Sequence, residues 1–248
     1  MKKLLFILTI DLLFLSCGER RMFRSPTPGF GFTSKIYKVD EKSLEYQMNK
    51  ALLITDEDEC YQKVEELLKQ GADPNKKAGQ FKWIDTNPLW NCCRNEKLAS
   101  LFIFYGADVK SRPYIGKTIS GRIAITTEQY NEWKNEGYAF IINEESALKI
   151  VKILLENGAD PNLKWIDGEK VLFPATNWNY LRYFRKYGKM PINNAIKYNA
   201  IKLVSLLLNN GAKLDEESLL LASETTERTG SSEMEELVKE QWKKQNKN

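Results

Sequence analysis

Histidine is missing altogether from this 248-residue chain. Its absence excludes Ser-His-Asp and Cys-His catalysis, His-ligated zinc, haem on a His axial ligand and imidazole pH switching. Charge of one sign is also scarce: 37 basic residues face 33 acidic ones, a net +4, too mild to argue for a nucleic-acid binder. The four cysteines show no CxxC spacing that would suggest zinc. Fourteen Gly and eight Pro exclude a collagen-like composition. The N-terminal apolar run, Leu4 to Leu15, is interrupted by Asp11 and is shorter than the roughly 20 residues a spanning helix needs. What remains is 42% hydrophobic and 28% charged, enough for a full-sized core in one or two domains.

Residues 1–17 read MKKLLFILTIDLLFLSC. Lys2 and Lys3 form a basic head, an apolar stretch follows, and Ser16 stands directly before Cys17. That order fits an export signal, and the small residue before Cys resembles a bacterial lipobox. The resemblance implies a signal peptide over 1–16, cleavage before Cys17, and a lipid such as palmitate on Cys17. The expected location is the bacterial cell envelope, facing the periplasm or the exterior. Ordinary secretion and a buried N-terminal helix of a cytosolic chain are the alternatives. Residues 17–40 then read as lipidated Cys and flexible tether, rich in Gly, Ser, Pro and Arg.

One phrase recurs four times beyond the tether. VEELLKQGADPN ends at Asn75, LFIFYGADVK at Lys110, IVKILLENGADPN at Asn162 and LVSLLLNNGAKLD at Asp215. In each, apolar residues at helical spacing run into Gly-Ala and a polar turn. A helix ends readily where Gly takes the left-handed conformation, and Asp, Asn or Pro shapes the turn that follows. Gly71, Gly106, Gly158 and Gly211 are spaced by 35, 52 and 53 residues.

The phrase resembles the ankyrin repeat, whose period is about 33. Pro191-Ile192-Asn193-Asn194-Ala195 stands where that family has PLHxA, and Asn87-Pro88-Leu89-Trp90-Asn91-Cys92 where it has TPLHxA. Asn87 is an expected N-cap with Pro88 at the first helical position. Gly116-Lys117-Thr118 falls at the family's Gly-x-Thr, which leaves the first helix of the third repeat undefined. The resemblance implies an all-α solenoid of stacked helix-turn-helix repeats with finger loops and two insertions. It covers a domain over 41–248 of about five repeats, with about 19 extra residues near 126–143 and about 20 near 169–189. Glu41 to Thr55 would supply the first helix of the first repeat. Glu216 to Glu224 and Ser232 to Lys244 would form a polar capping pair. The expected core is Val64, Leu67, Leu68, Ala99, Phe102, Ile103, Val151, Leu154, Leu155, Val204, Leu207 and Leu208.

Chemistry-bearing patterns fail on inspection. Gly116-Lys117-Thr118 ends like a phosphate loop, but Ser111 stands where the first Gly is required. Asp56-x-Asp58 opens like a calcium loop, but Tyr61 and Leu67 replace its obligatory Gly and Glu. No cofactor, nucleotide, metal or nucleic-acid partner is expected, and no enzymatic activity. Cys92 reads as a small buried residue, with a bridge from Cys60 to Cys92 or Cys93 the alternative.

The aromatics carry more signal. Trp83, Trp133, Trp165 and Trp178 fall outside the expected helix pairs, and Lys-Trp-Ile-Asp occurs at 82–85 and again at 164–167. Residues 177–189, NWNYLRYFRKYGK, pattern as an amphipathic helix with Tyr183 on one side and Arg182 and Arg185 on the other. Trp83, Trp165, Trp178, Tyr183, Arg182 and Arg185 are therefore the candidate partner contacts, with packing against the stack as the alternative. The expected function is a membrane-tethered interaction module that binds a protein through finger loops and concave face. An immunity-type inhibitor of a toxin or enzyme, and a peripheral membrane module using the basic aromatic insertion, are the competing readings.

Overall fold

The computed structural model describes residues 40–76, 87–93, 95–120, 122–137, 141–165 and 189–247. Helix pairs follow one another along the chain. The first is α1 (Leu44–Ala51) with α2 (Glu57–Lys69), the second α3 (Pro88–Cys92) with α4 (Glu96–Phe104). The third pair, α5 (Tyr114–Thr118) and α7 (Glu144–Glu156), is separated by β1 (Arg122–Ala124), α6 (Thr127–Asn135) and β2 (Ile141–Asn143). Pair four is α8 (Pro191–Lys197) with α9 (Ile201–Asn209), and pair five is α10 (Glu216–Thr229) with α11 (Glu233–Gln245). The second helices pack in succession, α2 on α4, α4 on α7 and α7 on α9. This is the expected solenoid of helix-turn-helix repeats.

The ends of the helices are set by single residues. Asp56, Asn87, Asn95, Asn143 and Asp215 each cap a helix by accepting a backbone N–H in its first turn. The acidic run after Asp56 is therefore the first turn of α2, where negative charge is favourable. Gly71, Gly106, Gly158 and Gly211 all have φ between 83° and 98°. The Ala after each donates to the carbonyl five residues back, Leu67, Phe102, Leu154 and Leu207, at 2.9–3.0 Å. That is one helix-terminating motif used four times.

Side chains then join each repeat to the next. Asn75 donates through Nδ2 to the Gly106 carbonyl at 3.0 Å and accepts from Asp108 N–H at 2.7 Å. Asn162 does the same to Gly211 and Lys213, at 3.0 and 2.7 Å. At the end of the stack Gln245 takes over, bonding Leu214 N–H and the Ala212 carbonyl at 3.0 Å each. Glu144 Oε1 accepts the N–H groups of Lys202 and Leu203, at the start of α9, at 3.2 and 3.4 Å. Asn162→Ala removes both of its bonds and is expected to cost about 1–2 kcal/mol in a urea melt. A variant as stable as the parent would contradict the seam's contribution.

The second-helix stripe forms the core as expected. Val64, Leu67, Leu68, Ala99, Phe102, Val151, Leu154, Val204 and Leu207 are buried, while Ile103, Leu155 and Leu208 are half-buried. Two expectations need correction, and the insertion in the third repeat adds a feature to the helical stack: β1 and β2 pair in parallel, Ile123 opposite Ile142, around the α6 crossover. α10 runs on to Thr229, where Gly230 at φ 72° stops it. The third repeat also has a first helix, and Gly116-Lys117-Thr118 lies inside it rather than before it. From Tyr114 to Ile119 every residue is buried except half-buried Lys117, the same pattern as Pro191 to Ile196 around half-buried Asn194. Gly116 therefore corresponds to Asn193 and to Trp90.

Candidate interaction face

The first helices α3, α5 and α8 form one face of the stack, and their interior positions hold it together. Thr118 Oγ1 donates to the Cys93 carbonyl at 2.8 Å, and Thr225 Oγ1 to the Ile196 carbonyl at 3.2 Å. Lys117 Nζ and Asn194 Nδ2 reach back to the carbonyls of Trp90 and Ile119. Asn193, nearly fully buried, accepts from Ser218 Oγ at 2.6 Å and donates to Asp215 at 3.1 Å and Glu217 at 3.3 Å.

An aromatic and cationic cluster crosses the second and third repeats on this face. Asn87 Oδ1 accepts from Trp90 N–H at 2.9 Å and from the Tyr114 hydroxyl at 3.1 Å. The Trp90 ring meets Tyr114 edge-on at 5.7 Å and Trp165 at 5.1 Å. Lys117 Nζ sits 4.4 Å from the Trp90 centroid and the Arg112 guanidinium 5.5 Å, within cation–π range.

Trp165 reaches the cluster from the connection between the third and fourth repeats. Its backbone forms an antiparallel bridge with Lys189, at 2.9 and 2.7 Å. Its side chain lies on Gly116, where a Cβ would stand 2.4 Å from Trp165 Cβ. Gly116 is thus required by a close approach, within a helix that otherwise gains nothing from glycine.

Trp165 is half-buried and joined to the cluster. Trp83, Trp178, Tyr183, Arg182 and Arg185 lie outside the described residues, as does Cys17. Trp133 is half-buried on α6, with its ring 6.3 Å from Tyr198 at the end of α8. The residue-level reading missed Trp90, Lys117 and Arg112 as neighbours, because placing Gly116-Lys117-Thr118 before a helix hid the position of Lys117 on the face.

Titratable groups point to structure rather than reaction. Cys60 and Cys92 are free buried thiols and Cys93 is fully buried, so the bridge weighed from Cys60 is not formed. Burial pushes Cys92 well above the ordinary thiol range and also raises Cys60, which disfavours the reactive thiolate. Burial also acts upward on Glu45, but backbone amides and Lys76, 3.2 Å away, hold it below the usual carboxylate range. A depressed carboxylate stabilises the fold above its unfolded pKa, and this contribution is lost as pH falls through the folded value. Urea midpoints are expected to fall on acidification less steeply in Glu45→Gln than in the parent. Identical slopes would contradict the pairing. Among the described residues, no group of three or more acidic or thiol side chains is arranged to hold a metal ion, and no helix is long and apolar enough to cross a membrane.

No family model matches the sequence, and no curated protein matches it. Among solved structures, the chain is similar to the crystal structure of the human ASB11 ankyrin repeat domain. The likeness has a TM-score of 0.44 and 15% identity, and covers 80% of this chain and 67% of that one.

Proposed function

We propose that the chain is a non-catalytic protein-interaction module that presents a preformed face to a protein partner. One observation carries this reading: side-chain bonds from each first helix to the one before it, Thr118 to the Cys93 carbonyl, Lys117 to the Trp90 carbonyl and Asn194 to the Ile119 carbonyl, fix α3, α5 and α8 into one preformed face. Asn91 stays exposed on it, between buried neighbours. A preformed surface of this kind loses little conformational freedom on binding. Trp165, and Trp83, Trp178, Tyr183, Arg182 and Arg185 outside the described residues, remain the aromatic and basic contacts assigned to the partner in this proposal.

The module is tethered through a lipid on Cys17, in the bacterial cell envelope. Support comes from the order of basic head, apolar run and small residue before Cys17. Lipid labelling of the native protein beside Cys17→Ala, followed by membrane fractionation, tests the tether. Label and membrane association are expected to vanish together in the variant. A parent protein that takes no label would move the partner search to soluble compartments.

The role of the partner separates two forms of the reading. A tight one-to-one complex with an enzyme or toxin marks an immunity-type inhibitor, and several weak partners mark a scaffold. The membrane-module alternative rests on residues 177–189 and predicts liposome binding that persists without the lipid and is lost in Arg182→Glu/Arg185→Glu.

A further inference from the structure

The glycines that end the four second helices are not preceded by the same residue. Gln70 stands before Gly71 and Tyr105 before Gly106, but Asn157 stands before Gly158 and Asn210 before Gly211. Asn-Gly occurs nowhere else in the chain. The pair has a chemistry of its own. The glycine nitrogen can attack the asparagine Cγ, because no Cβ on the glycine stands in the way. The new C–N bond closes a cyclic succinimide, the Cγ–Nδ2 bond breaks, and ammonia leaves with the glycine's N–H proton. Water then opens the ring at either carbonyl, giving aspartate or, with the backbone rerouted through Cγ, isoaspartate.

The helix ends hold both sites closed. ψ is 10° at Asn157 and 21° at Asn210, so each glycine nitrogen lies close to eclipsing the asparagine's own nitrogen and points away from its Cβ. The N–H groups of Gly158 and Gly211 donate to the Leu155 and Leu208 carbonyls at 2.9 and 3.1 Å. Each asparagine Nδ2 donates to the carbonyl four residues back, Ile153 and Leu206, at 2.8 Å. Ring closure therefore requires the helix end to open, a local event whose cost depends on what else holds that end. The two ends differ in this respect. The Gly211 carbonyl and the Lys213 N–H are both bonded to Asn162. At Gly158 the matching residue of the preceding repeat is Lys110, whose side chain lies against the glycine but has no oxygen to accept an N–H.

We propose that Asn157 and Asn210 are spontaneous modification sites of this chain, held shut by their helix ends, with Asn210 the better protected of the two. Both asparagines are exposed, so water reaches the ring once it forms. Aspartate at 210 places a negative charge at the C-terminal end of α9, where the helix dipole disfavours it. Isoaspartate adds a backbone carbon directly before Gly211, whose carbonyl Asn162 binds. Modification there loosens the joint between the third and fourth repeats. The inference does not depend on what the first-helix face binds.

In the test, the full chain is incubated near neutral pH, folded in buffer and unfolded in urea. Peptides spanning each site are followed by mass spectrometry and by isoaspartate methyltransferase labelling. Each site's protection is the ratio of its rate in urea to its rate in buffer. Protection of about tenfold or more is expected at both sites, larger at Asn210 than at Asn157. Asn162→Ala removes the bonds to Gly211 and Lys213 and is expected to lower protection at Asn210 about threefold or more, leaving Asn157 unchanged. Should that variant not fold, Asn162→Asp, which keeps the acceptor and loses the donor, serves for the same measurement. No conversion in urea, no protection at either site, protection at Asn157 equal to or greater than at Asn210, or protection at Asn210 unmoved by the Asn162 variant overturns the proposal.

Discussion

Leu154→Ala is expected to lower the unfolding free energy by about 2–5 kcal/mol, the range for deleting a large buried side chain that leaves a cavity. Leu154 is fully buried on α7, the second helix of the central repeat, which packs against α4, α5 and α9. Its carbonyl also accepts the Ala159 N–H that closes the helix, at 2.9 Å. A repeat array derives its stability from contacts between neighbours, so a cavity at the middle weakens both halves at once. Urea melts followed by circular dichroism should show a shifted midpoint and a broader or split transition. Leu53→Ala, at a position 78% exposed, is the control and should stay within about 0.5 kcal/mol of the parent. An unchanged midpoint in Leu154→Ala would contradict the packing.

Gly116→Ala sets two effects against each other. Helix propensity alone favours alanine by about 1 kcal/mol at an interior position. The new Cβ, however, falls 2.4 Å from Trp165 Cβ and 3.1 Å from its Cγ. Trp165 cannot easily give way: its backbone is bonded to Lys189 on both sides and its ring lies 5.1 Å from that of Trp90. Overpacking of this kind costs about 1–3 kcal/mol, so the clash outweighs the propensity gain or cancels it. The expected result is destabilisation together with a changed tryptophan emission. In a Trp165→Gly background the clash is gone, and the same substitution should become stabilising, a coupling that a double-mutant cycle measures directly. Gly116→Ala that stabilises the parent by the full propensity gain would mean that Trp165 does not rest on Gly116.

The fold was legible where one residue decides one local conformation. Gly71, Gly106, Gly158 and Gly211 announce the ends of four helices because few residues accept φ near 90°. Asn87 and Pro88 announce a beginning by the same kind of local rule. The third repeat misled for an equally physical reason. Gly116 suggests a turn when read locally, but here it sits in a helix because the ring of a residue 49 positions later needs the space, a long-range fact that no window around Gly116 contains. β1 and β2, three residues each, are too short to show an alternating pattern and exist through pairing with each other. The seams were invisible as interactions: Asn75 and Asn162 read as turn residues, and their partners are 31 and 49 positions away.

The candidate site was less legible than the fold. The repeated Lys-Trp-Ile-Asp singled out Trp165, but not its neighbours. Its ring neighbour Trp90 comes from the second repeat, and Lys117, over that ring, from the third, so the group meets only when the repeats stack.

The central claim, that the first-helix face engages a protein partner, is tested most directly by site-specific photo-crosslinking in the native cells. A photoreactive amino acid is placed at Asn91 or Lys197, exposed on that face, and at Lys239, exposed on the terminal helix α11, as a control. The account predicts a discrete protein adduct from Asn91 and Lys197 and none from Lys239. No adduct from either face position, or the same adducts from all three, would contradict it.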